Sequence, residues 1–253
     1  FGGFYWRIIR INEDGTIRMI YQGTSANTTG TGTQIQTSAF NNSYNNNMYV
    51  GFMYQSNQVH GLTSSSTIKG VLDTWYQNNL ATNYGDKIDG NAGFCGDREP
   101  STSSSTSNGS GGTGTTTTYY GAYIRLIANN APTFECENES DLYTTGGSSQ
   151  GNGALTNPIG LITADEVAYA GGVNDSINHS YYLYTNSKYL TMSPSYFDAA
   201  NGWAGVFVVS NQGFFGYYND VHNMRGVRPV INLKANVLIT SGTGQATDPY
   251  IVN

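Results

Sequence analysis

The chain has 253 residues, of which only 11% are charged and 13% are aromatic. A soluble domain typically carries about 25% charged residues, so a coiled coil or a helical bundle rich in Glu and Lys is excluded. No apolar window approaches the roughly 18 residues that a membrane-spanning helix needs, and the net charge of −6 argues against non-specific binding of nucleic acid, which requires a basic face.

The N-terminal segment is predicted to form a β-hairpin. Phe4–Ile11 and Thr16–Tyr21 are rich in strand-forming residues, and Asn12–Gly15 between them contains an Asp-Gly turn pair. Residues 23–47 hold few apolar anchors and are predicted to be a loop. Because the sequence opens inside an apolar run, we expect a processed or trimmed product whose targeting or anchoring segment lies outside it.

Two helices are predicted further along the chain. The first follows the N-cap candidates Thr63–Ser66. Its apolar residues recur at helical spacing: Ile68, Val71, Leu72, Trp75 and Leu80. The second begins with a capping box, in which Thr163 is the N-cap and Glu166 follows three residues later, and ends at Gly171.

A low-complexity tract of Ser, Thr and Gly, Ser101–Thr118, separates the two helices. It has no apolar anchor, so we predict a mobile loop. Cys95 and Cys136 flank this tract, and few charges with a pair of cysteines favour an extracellular protein in which the two cysteines form a disulfide. The alternative is two free buried thiols in a cytosolic protein.

The last sixty residues are predicted to form short strands joined by Gly and Asn turns. The expected strands are Ala204–Ser210, Phe214–Asn219 and Gly226–Leu233. Pro229 cannot donate a hydrogen bond to a strand partner, so it marks a sheet edge, a bulge or the start of a strand. The elements together predict one α+β domain over residues 1–253, with two helices, short and mostly antiparallel strands, and long irregular loops.

Five sequence blocks carry a resemblance to a known family. They are Phe4–Ile11, Val71–Tyr76, Gly160–Gly172, Leu190–Pro194 and Gly226–Lys234. These blocks resemble a large, poorly characterised family of bacterial secreted and surface proteins, and the likeness extends over almost the whole chain. The resemblance implies a C-type-lectin-like fold of the wider type that includes the formylglycine-generating-enzyme group.

The same resemblance implies a location for variable residues. The variable proteins of diversity-generating retroelements use a related scaffold, with changeable residues on the last strands and loops before a Gly-x-Arg-like ending. This chain has Gly226-Val227-Arg228 at that point. The family therefore implies that a recognition surface lies on the segment before residue 226.

No residue pattern indicates catalysis, a metal or a cofactor. The three histidines, His60, His179 and His222, are scattered in polar segments without the motifs of a catalytic triad, a zinc site or a phosphate loop. The related enzymes use two cysteines near the C-terminal core, where this chain has none. Glu99-Pro100-Ser101 and Tyr218-Asn219-Asp220 only loosely resemble the calcium motifs of lectins, and carboxylates are too sparse to name a cage. We expect no enzyme, no metal and no cofactor.

The aromatic segment 196–225 is the predicted binding surface. Strand alternation from Ala204 places Phe207 and Val209 on the outer face, beside Phe215 and Tyr217 of the next strand. The predicted ligand-binding residues are Asp198, Asn201, Trp203, Phe207, Phe215, Tyr217, Tyr218, Asp220, His222 and Arg225. In the alternative interpretation these aromatic residues are core, packed beneath residues 180–195.

The leading functional hypothesis is an extracellular or cell-surface, adhesin-like module that binds a protein or a glycan of a host or of a bacterial surface. Tyr, Asn, Ser and Gly also dominate antibody recognition loops, because Tyr gives a large contact area at low entropic cost. The alternative is a structural subunit that self-assembles into a pilus or filament. An enzyme is the third hypothesis, and nucleic acid is not expected as a partner; contact with a membrane would use a segment outside this sequence.

Overall fold

The computed structural model describes residues 1–102, 111–146 and 150–252. It has 19% helix and 30% strand, and its sheets are mostly antiparallel, which confirms the predicted α+β class. Most strands are short, as expected from the many Gly and Asn turns. Among the described residues, no helix has the length and the hydropathy needed to cross a membrane.

The helices are short and several continue into turns of different pitch. Helix α1 (Thr67–Tyr76) runs through a π-helical turn at Gln77–Ala81 into α2 (Thr82–Tyr84), and α3 (Gly121–Tyr123) runs into a π-helical turn at Ile124–Ala128. Helix α4 is Ala164–Tyr169. The 3₁₀ segments are Gly30–Thr33, Asn47–Val50, Gly85–Lys87 and Glu139–Asp141.

The strands in chain order are β1 (Tyr5–Ile11), β2 (Ile17–Gly23), β3 (Gln36–Ser38), β4 (Met53–Tyr54), β5 (Ser64–Ser65), β6 (Phe94–Cys95), β7 (Thr118–Tyr119), β8 (Leu142–Tyr143), β9 (Tyr189–Asp198), β10 (Trp203–Val209), β11 (Phe215–Gly216), β12 (Arg225–Val227), β13 (Val230–Leu233), β14 (Ile239–Ser241) and β15 (Ile251–Val252). One sheet has the order β1-β2-β13 and another the order β11-β10-β9-β12-β3, with β7 also paired to β9. The pairs β4-β5, β6-β8 and β14-β15 form small two-stranded sheets.

The predicted N-terminal hairpin is confirmed. Strands β1 and β2 pair antiparallel, and Gly15 at the turn has a φ of 81°, a conformation that favours glycine. The amide of Asn12 donates to the carbonyl of Thr16 at 2.8 Å, which closes the turn. Strand β2 also pairs with β13, so the hairpin is held against a strand from the other end of the chain.

Both predicted helices form where the sequence indicates. In α1 the hydroxyl of Ser66 accepts from the amide of Lys69 at 3.3 Å, and Ile68 and Leu72 are fully buried. In α4 the capping box is complete: the hydroxyl of Thr163 accepts from the amide of Glu166, whose carboxylate accepts from the amide of Thr163. These signals are sufficient to predict a helix because an N-cap hydrogen bond and an apolar stripe depend on residues that are close together in the sequence.

Other parts of the chain differ from the predictions. Residues 189–195, assigned to a loop in the alternative interpretation, belong to β9, the central strand of its sheet. The strand predicted at Phe214–Asn219 is only Phe215–Gly216, and the one predicted at Gly226–Leu233 divides at Arg228 and Pro229 into β12 and β13. Gly121–Ala128 is a helical segment that the sequence analysis did not identify.

Strand β9 escaped prediction because its small polar residues are buried. The hydroxyl of Thr191 donates to the carbonyl of Phe207 and that of Ser195 to the carbonyl of Tyr217, each at 2.8 Å, while the hydroxyl of Ser193 accepts from the amide of Ala164 at 2.9 Å. A buried hydroxyl with a partner costs little. Segments that look polar in sequence can therefore form the middle of a sheet.

The two low-complexity regions contain ordered parts. Residues 103–110 of the predicted mobile loop lie outside the described residues, so its mobility stays a prediction. At its ends Ser101 and Thr118 are buried, and Thr118 pairs with Phe197 as part of β7. Residues 23–47, predicted to be a loop, include β3 and the 3₁₀ segment Gly30–Thr33.

Arg228 connects the two larger sheets inside the core. Its guanidinium is fully buried and donates to the carbonyl of Tyr21 at 3.1 and 3.2 Å and to the side chain of Gln22 at 3.2 Å. It also lies 4.7 Å from the ring centre of Tyr189 on β9. These buried contacts indicate a structural role for Arg228. The resemblance, by contrast, places the Gly-x-Arg ending beside a recognition surface.

Candidate functional site

The predicted binding residues on β10 and β11 are only partly exposed. Trp203 is 44% exposed, but Phe207 and Phe215 are 0% and 2% exposed, so the prediction that both face solvent is wrong. Val209, also placed outside, is buried. Strict alternation fails because the pairing of β10 with β9 shifts register on both sides of Val206, and because α4 and the 3₁₀ segment 47–50 contact β10. For these residues the core interpretation holds.

Five tyrosines instead form a contiguous cluster beside these strands, which extends from the buried Tyr196 to the exposed Tyr218. This tyrosine cluster consists of Tyr119, Tyr123, Tyr196, Tyr217 and Tyr218. Neighbouring ring centres are 4.5 Å apart for Tyr119 and Tyr123, 5.0 Å for Tyr123 and Tyr217, 4.0 Å for Tyr217 and Tyr218, and 5.6 Å for Tyr218 and Tyr196. Tyr218 is the most exposed member, at 74%.

The cluster combines residues from distant parts of the chain. Tyr119 and Tyr123 come from β7 and α3, Tyr196 from β9, and Tyr217 and Tyr218 from the segment after β11. The pairing of Tyr119 with Tyr196 across β7 and β9 joins the first two groups. Tyr119 and Tyr123 lie four residues apart around the start of a helix, but nothing local in the sequence indicates that they meet Tyr217.

Two buried or half-buried hydroxyls of the cluster, those of Tyr196 and Tyr217, have raised pKa values. Burial and the neighbouring Asp220 raise the pKa of Tyr196, whose hydroxyl donates to Asp220 Oδ1 at 3.0 Å. Burial and the adjacent tyrosine hydroxyls raise the pKa of Tyr217. Asp220, predicted as a ligand-binding residue, is half-buried and orients Tyr196.

The remaining predicted residues lie near the start of β10. Asp198 accepts from the amides of Ala200 and Asn201 and from the side chain of Asn201 at 2.6 Å, so Asp198 and Asn201 stabilise the turn between β9 and β10. Hydrogen bonding to Asn201 lowers the pKa of Asp198. The ring of His222 lies 4.4 Å from that of Tyr44, and both are exposed.

A cavity of about 180 Å³ opens beside the tyrosine cluster. Tyr217 and Tyr218 form part of its wall, together with Asn219 and the cationic residues Lys188 and Arg225. Of these, Lys188 and Asn219 were not among the predicted binding residues. Arg225 is half-buried and lines this cavity, in agreement with its predicted place near the aromatic surface.

The disulfide borders a second cavity of about 180 Å³ lined by ion pairs. Cys95 and Cys136 are bonded, which confirms the predicted pairing and contradicts the free-thiol alternative. Arg125 contacts Asp97 at 2.5 Å, Glu137 at 2.7 Å and Asp165 at 3.1 Å. Every carboxylate named here has a guanidinium partner, which favours a structural role over acid–base chemistry.

Two other observations refine the chemistry of the ion pairs. Burial raises the pKa of Asp97 to about 7, against the opposing effect of Arg125. Asp165, in the first turn of α4, also accepts from the amide of Thr133 at 3.0 Å. Perturbed carboxylates in a cavity are typical of functional sites and of structural ion-pair networks alike. The contacts of Asp97, Glu137 and Asp165 with Arg125 favour the network.

His60 lies between two carboxylates near the disulfide. Its Nδ1 is 3.1 Å from Asp141 Oδ1 and its Nε2 is 3.2 Å from Glu99 Oε2. Asp141 is buried and also pairs with Arg98 at 2.6 Å. Hydrogen bonding to Asp141 raises the pKa of His60. The ring is therefore held by its neighbours on both sides.

The carboxylates of the two lectin-like tripeptides have separate partners, since Glu99 contacts His60 and Asp220 accepts from Tyr196. Within the described residues, no group of three or more His, Cys, Asp and Glu side chains is arranged to hold a metal ion. Comparison of the chain with family models, with curated proteins and with solved structures finds no match.

Proposed function

We propose that this protein is an extracellular or cell-surface module that binds a protein or glycan ligand non-covalently through the tyrosine cluster. The observation that carries the proposal is one continuous group of five tyrosine rings, open to solvent at Tyr218 and followed directly by a cavity. Exposed aromatic groups rimmed by polar residues are typical of recognition sites. The disulfide supports the proposed location, since such bonds persist in oxidising compartments.

We propose further that the fold is C-type-lectin-like, within the bacterial secreted family that the sequence blocks resemble. A fold of this type pairs an N-terminal strand with a C-terminal strand, and β2 pairs with β13 in this way. Such a fold also has a long irregular region that supports its last strands, and the described strands between α1 and α4, which are β6, β7 and β8, have only two residues each. The resemblance points to the segment before residue 226, and three of the five cluster tyrosines, Tyr196, Tyr217 and Tyr218, lie in that segment.

The proposal is tested by screening arrays of glycans and of bacterial and host surface proteins with the wild type and with Tyr218→Ala. Loss of an aromatic anchor from an interface costs about 2 kcal/mol or more, which is about 30-fold in affinity. The matched control is Tyr182→Ala, which removes a tyrosine that is 56% exposed outside the cluster. Equal binding by the wild type and Tyr218→Ala to every captured ligand would refute the tyrosine cluster as the site.

One observation favours the filament subunit as a second candidate. The C-terminal hairpin of β14 and β15 carries exposed apolar side chains at Leu238, Ile239 and Ile251. Strand edges with exposed apolar residues are able to pair with another chain. Size-exclusion chromatography and negative-stain imaging distinguish the two functions. A protein that is monomeric at all concentrations supports the binding module, whereas polymers support the filament subunit.

A further inference from the structure

The cavity beside the tyrosine cluster holds two neighbouring cationic residues. Lys188 precedes β9 and Arg225 begins β12, and the next residues of each, Tyr189 and Gly226, pair across the two strands. The amide of Gly226 donates to the carbonyl of Lys188 at 3.1 Å. Lys188 and Arg225 are therefore adjacent, and both line the cavity.

These two cations lack the carboxylate partners that several other arginines have. Arg18, Arg98 and Arg125 pair with Asp or Glu, whereas no ion pair in the described part of the chain includes Lys188 or Arg225. Arg225 donates to the carbonyl of Met224 at 2.9 Å, but its Nε is buried without an acceptor in the described part of the chain. Two adjacent positive charges repel each other, and a bound anion would remove that cost.

Two other polar groups of the cavity are able to accept hydrogen bonds from a ligand. Asn219 is 2% exposed, and its side-chain Oδ1 has no donor among the described residues. Asp175, an exposed carboxylate, also lines the cavity. A ligand that satisfies both sides carries one carboxylate for the cations and several hydroxyl donors for Asn219 and Asp175.

The walls and the size narrow the class of ligand. Phe214, Tyr217 and Tyr218 supply aromatic rings, against which the apolar face of a sugar ring packs. The volume of about 180 Å³ is below the roughly 300 Å³ at which pockets for drug-sized ligands begin. We propose that this cavity binds one acidic monosaccharide unit of a glycan, with its carboxylate on Lys188 and Arg225; the inference rests on the proposed binding function and names its ligand class.

The experiment titrates three probes into the ¹⁵N-labelled protein and follows the amides of residues 215–226 by NMR. The probes are methyl glucuronide, the neutral methyl glucoside, and a short peptide ending in aspartate. We expect methyl glucuronide to bind at least tenfold more tightly than the glucoside and the peptide, and to weaken as the salt concentration rises, since exposed charges are screened.

Two substitutions and a control assign the binding to the cations. Lys188→Gln and Arg225→Gln are each expected to weaken glucuronide binding at least tenfold, while Lys87→Gln, which changes the net charge equally outside the cavity, leaves it unchanged. Lys188 is exposed, so its variant keeps the fold and carries the test if Arg225→Gln unfolds. Equal binding of the glucoside, preference for the peptide, unaffected variants or no binding of any probe would each overturn the acidic-sugar inference.

The array results separate this inference from the proposed function. If captured ligands depend on Tyr218 but not on Lys188, the tyrosine cluster binds a ligand and the acidic-sugar inference is wrong. If glucuronide binds through Lys188 while no array ligand depends on Tyr218, the cavity is an acidic-sugar site and the tyrosine cluster is not the recognition surface.

Discussion

Replacing Glu166 by glutamine removes a buried charge while keeping the shape of the side chain. Glu166 Oε1 lies 2.5 Å from the Nε of Arg18 and 3.5 Å from Arg10, and Glu166 Oε2 accepts from the amide of Thr163. Arg18 and Glu166 are 1% and 2% exposed, so water does not screen their interaction. The amide oxygen of glutamine is still able to accept from Thr163, and the start of α4 stays capped.

The expected decrease in stability arises because Arg18 loses its carboxylate partner. Breaking a buried ion pair on one side leaves the other charge uncompensated and costs about 3–5 kcal/mol. The contact with Arg10 adds little, because Arg10 is 22% exposed and pairs of that kind contribute about 0–1 kcal/mol. We therefore expect Glu166→Gln to lower the free energy of unfolding by about 3–5 kcal/mol.

Urea denaturation followed by tryptophan fluorescence measures this loss, with Arg10→Gln as the control that should change stability by no more than about 1 kcal/mol. Arg18 also donates to the carbonyls of Gly93 at 3.0 Å and Leu161 at 3.4 Å. A loss below about 1 kcal/mol for Glu166→Gln would show that these carbonyls alone satisfy the cation, and would refute the argument from the unpaired charge.

Three further predictions concern the disulfide, a histidine and the aromatic residues. Replacing Cys95 and Cys136 by serine opens a loop with a sequence separation of 41 residues, for which loop-closure entropy predicts a decrease of about 4 kcal/mol in the free energy of unfolding. Denaturation of the wild type in reductant should give the same stability as the variant, and a decrease below about 1 kcal/mol would contradict the prediction. The pKa of His60 is raised by its hydrogen bond to a buried carboxylate, so its stabilising contribution is complete below the ordinary histidine pKa and is lost as pH rises through the raised value. The stability difference between wild type and His60→Gln should shrink across that window, and a constant difference would exclude this linkage. Phe207→Ala should lower the free energy of unfolding by about 3–5 kcal/mol because the ring of Phe207 is fully buried, whereas Tyr218→Ala should change it by less than about 1 kcal/mol. Thermal melts of the two variants measure this difference, and similar losses of stability would show that Tyr218 belongs to the core.

Local signals in the sequence predicted local structure correctly. The hairpin turn at Gly15, the N-cap of α1 and the capping box at Thr163 and Glu166 each depend on residues within a few positions of one another. The disulfide was predictable because the chain has only two cysteines. In each case the deciding interaction does not require knowledge of the tertiary structure.

The site required tertiary information that the sequence does not contain. Phe207 was expected outside because alternation assumes a strand with one covered face, but β10 is covered on both faces and has register shifts. Tyr119 and Tyr217 are almost one hundred residues apart in the sequence. The pairing of β7 with β9 places Tyr119 beside Tyr196, and the ring of Tyr123 contacts that of Tyr217. The prediction that the aromatic segment forms a binding surface stays a prediction, while the expected exposure of Phe207 and Phe215 was wrong.

Arg228 has a consequence for the motions of this protein. Its guanidinium donates to the backbone of Tyr21 in one sheet and lies over Tyr189 in the other. Local opening of either sheet would leave a buried cation without its acceptors, which raises the free energy of that partly open state. The N-terminal hairpin and the strands beside the proposed binding surface should therefore exchange their amide hydrogens with solvent as one cooperative unit. The proposed surface would then share the rigidity of a segment almost two hundred residues away in the sequence.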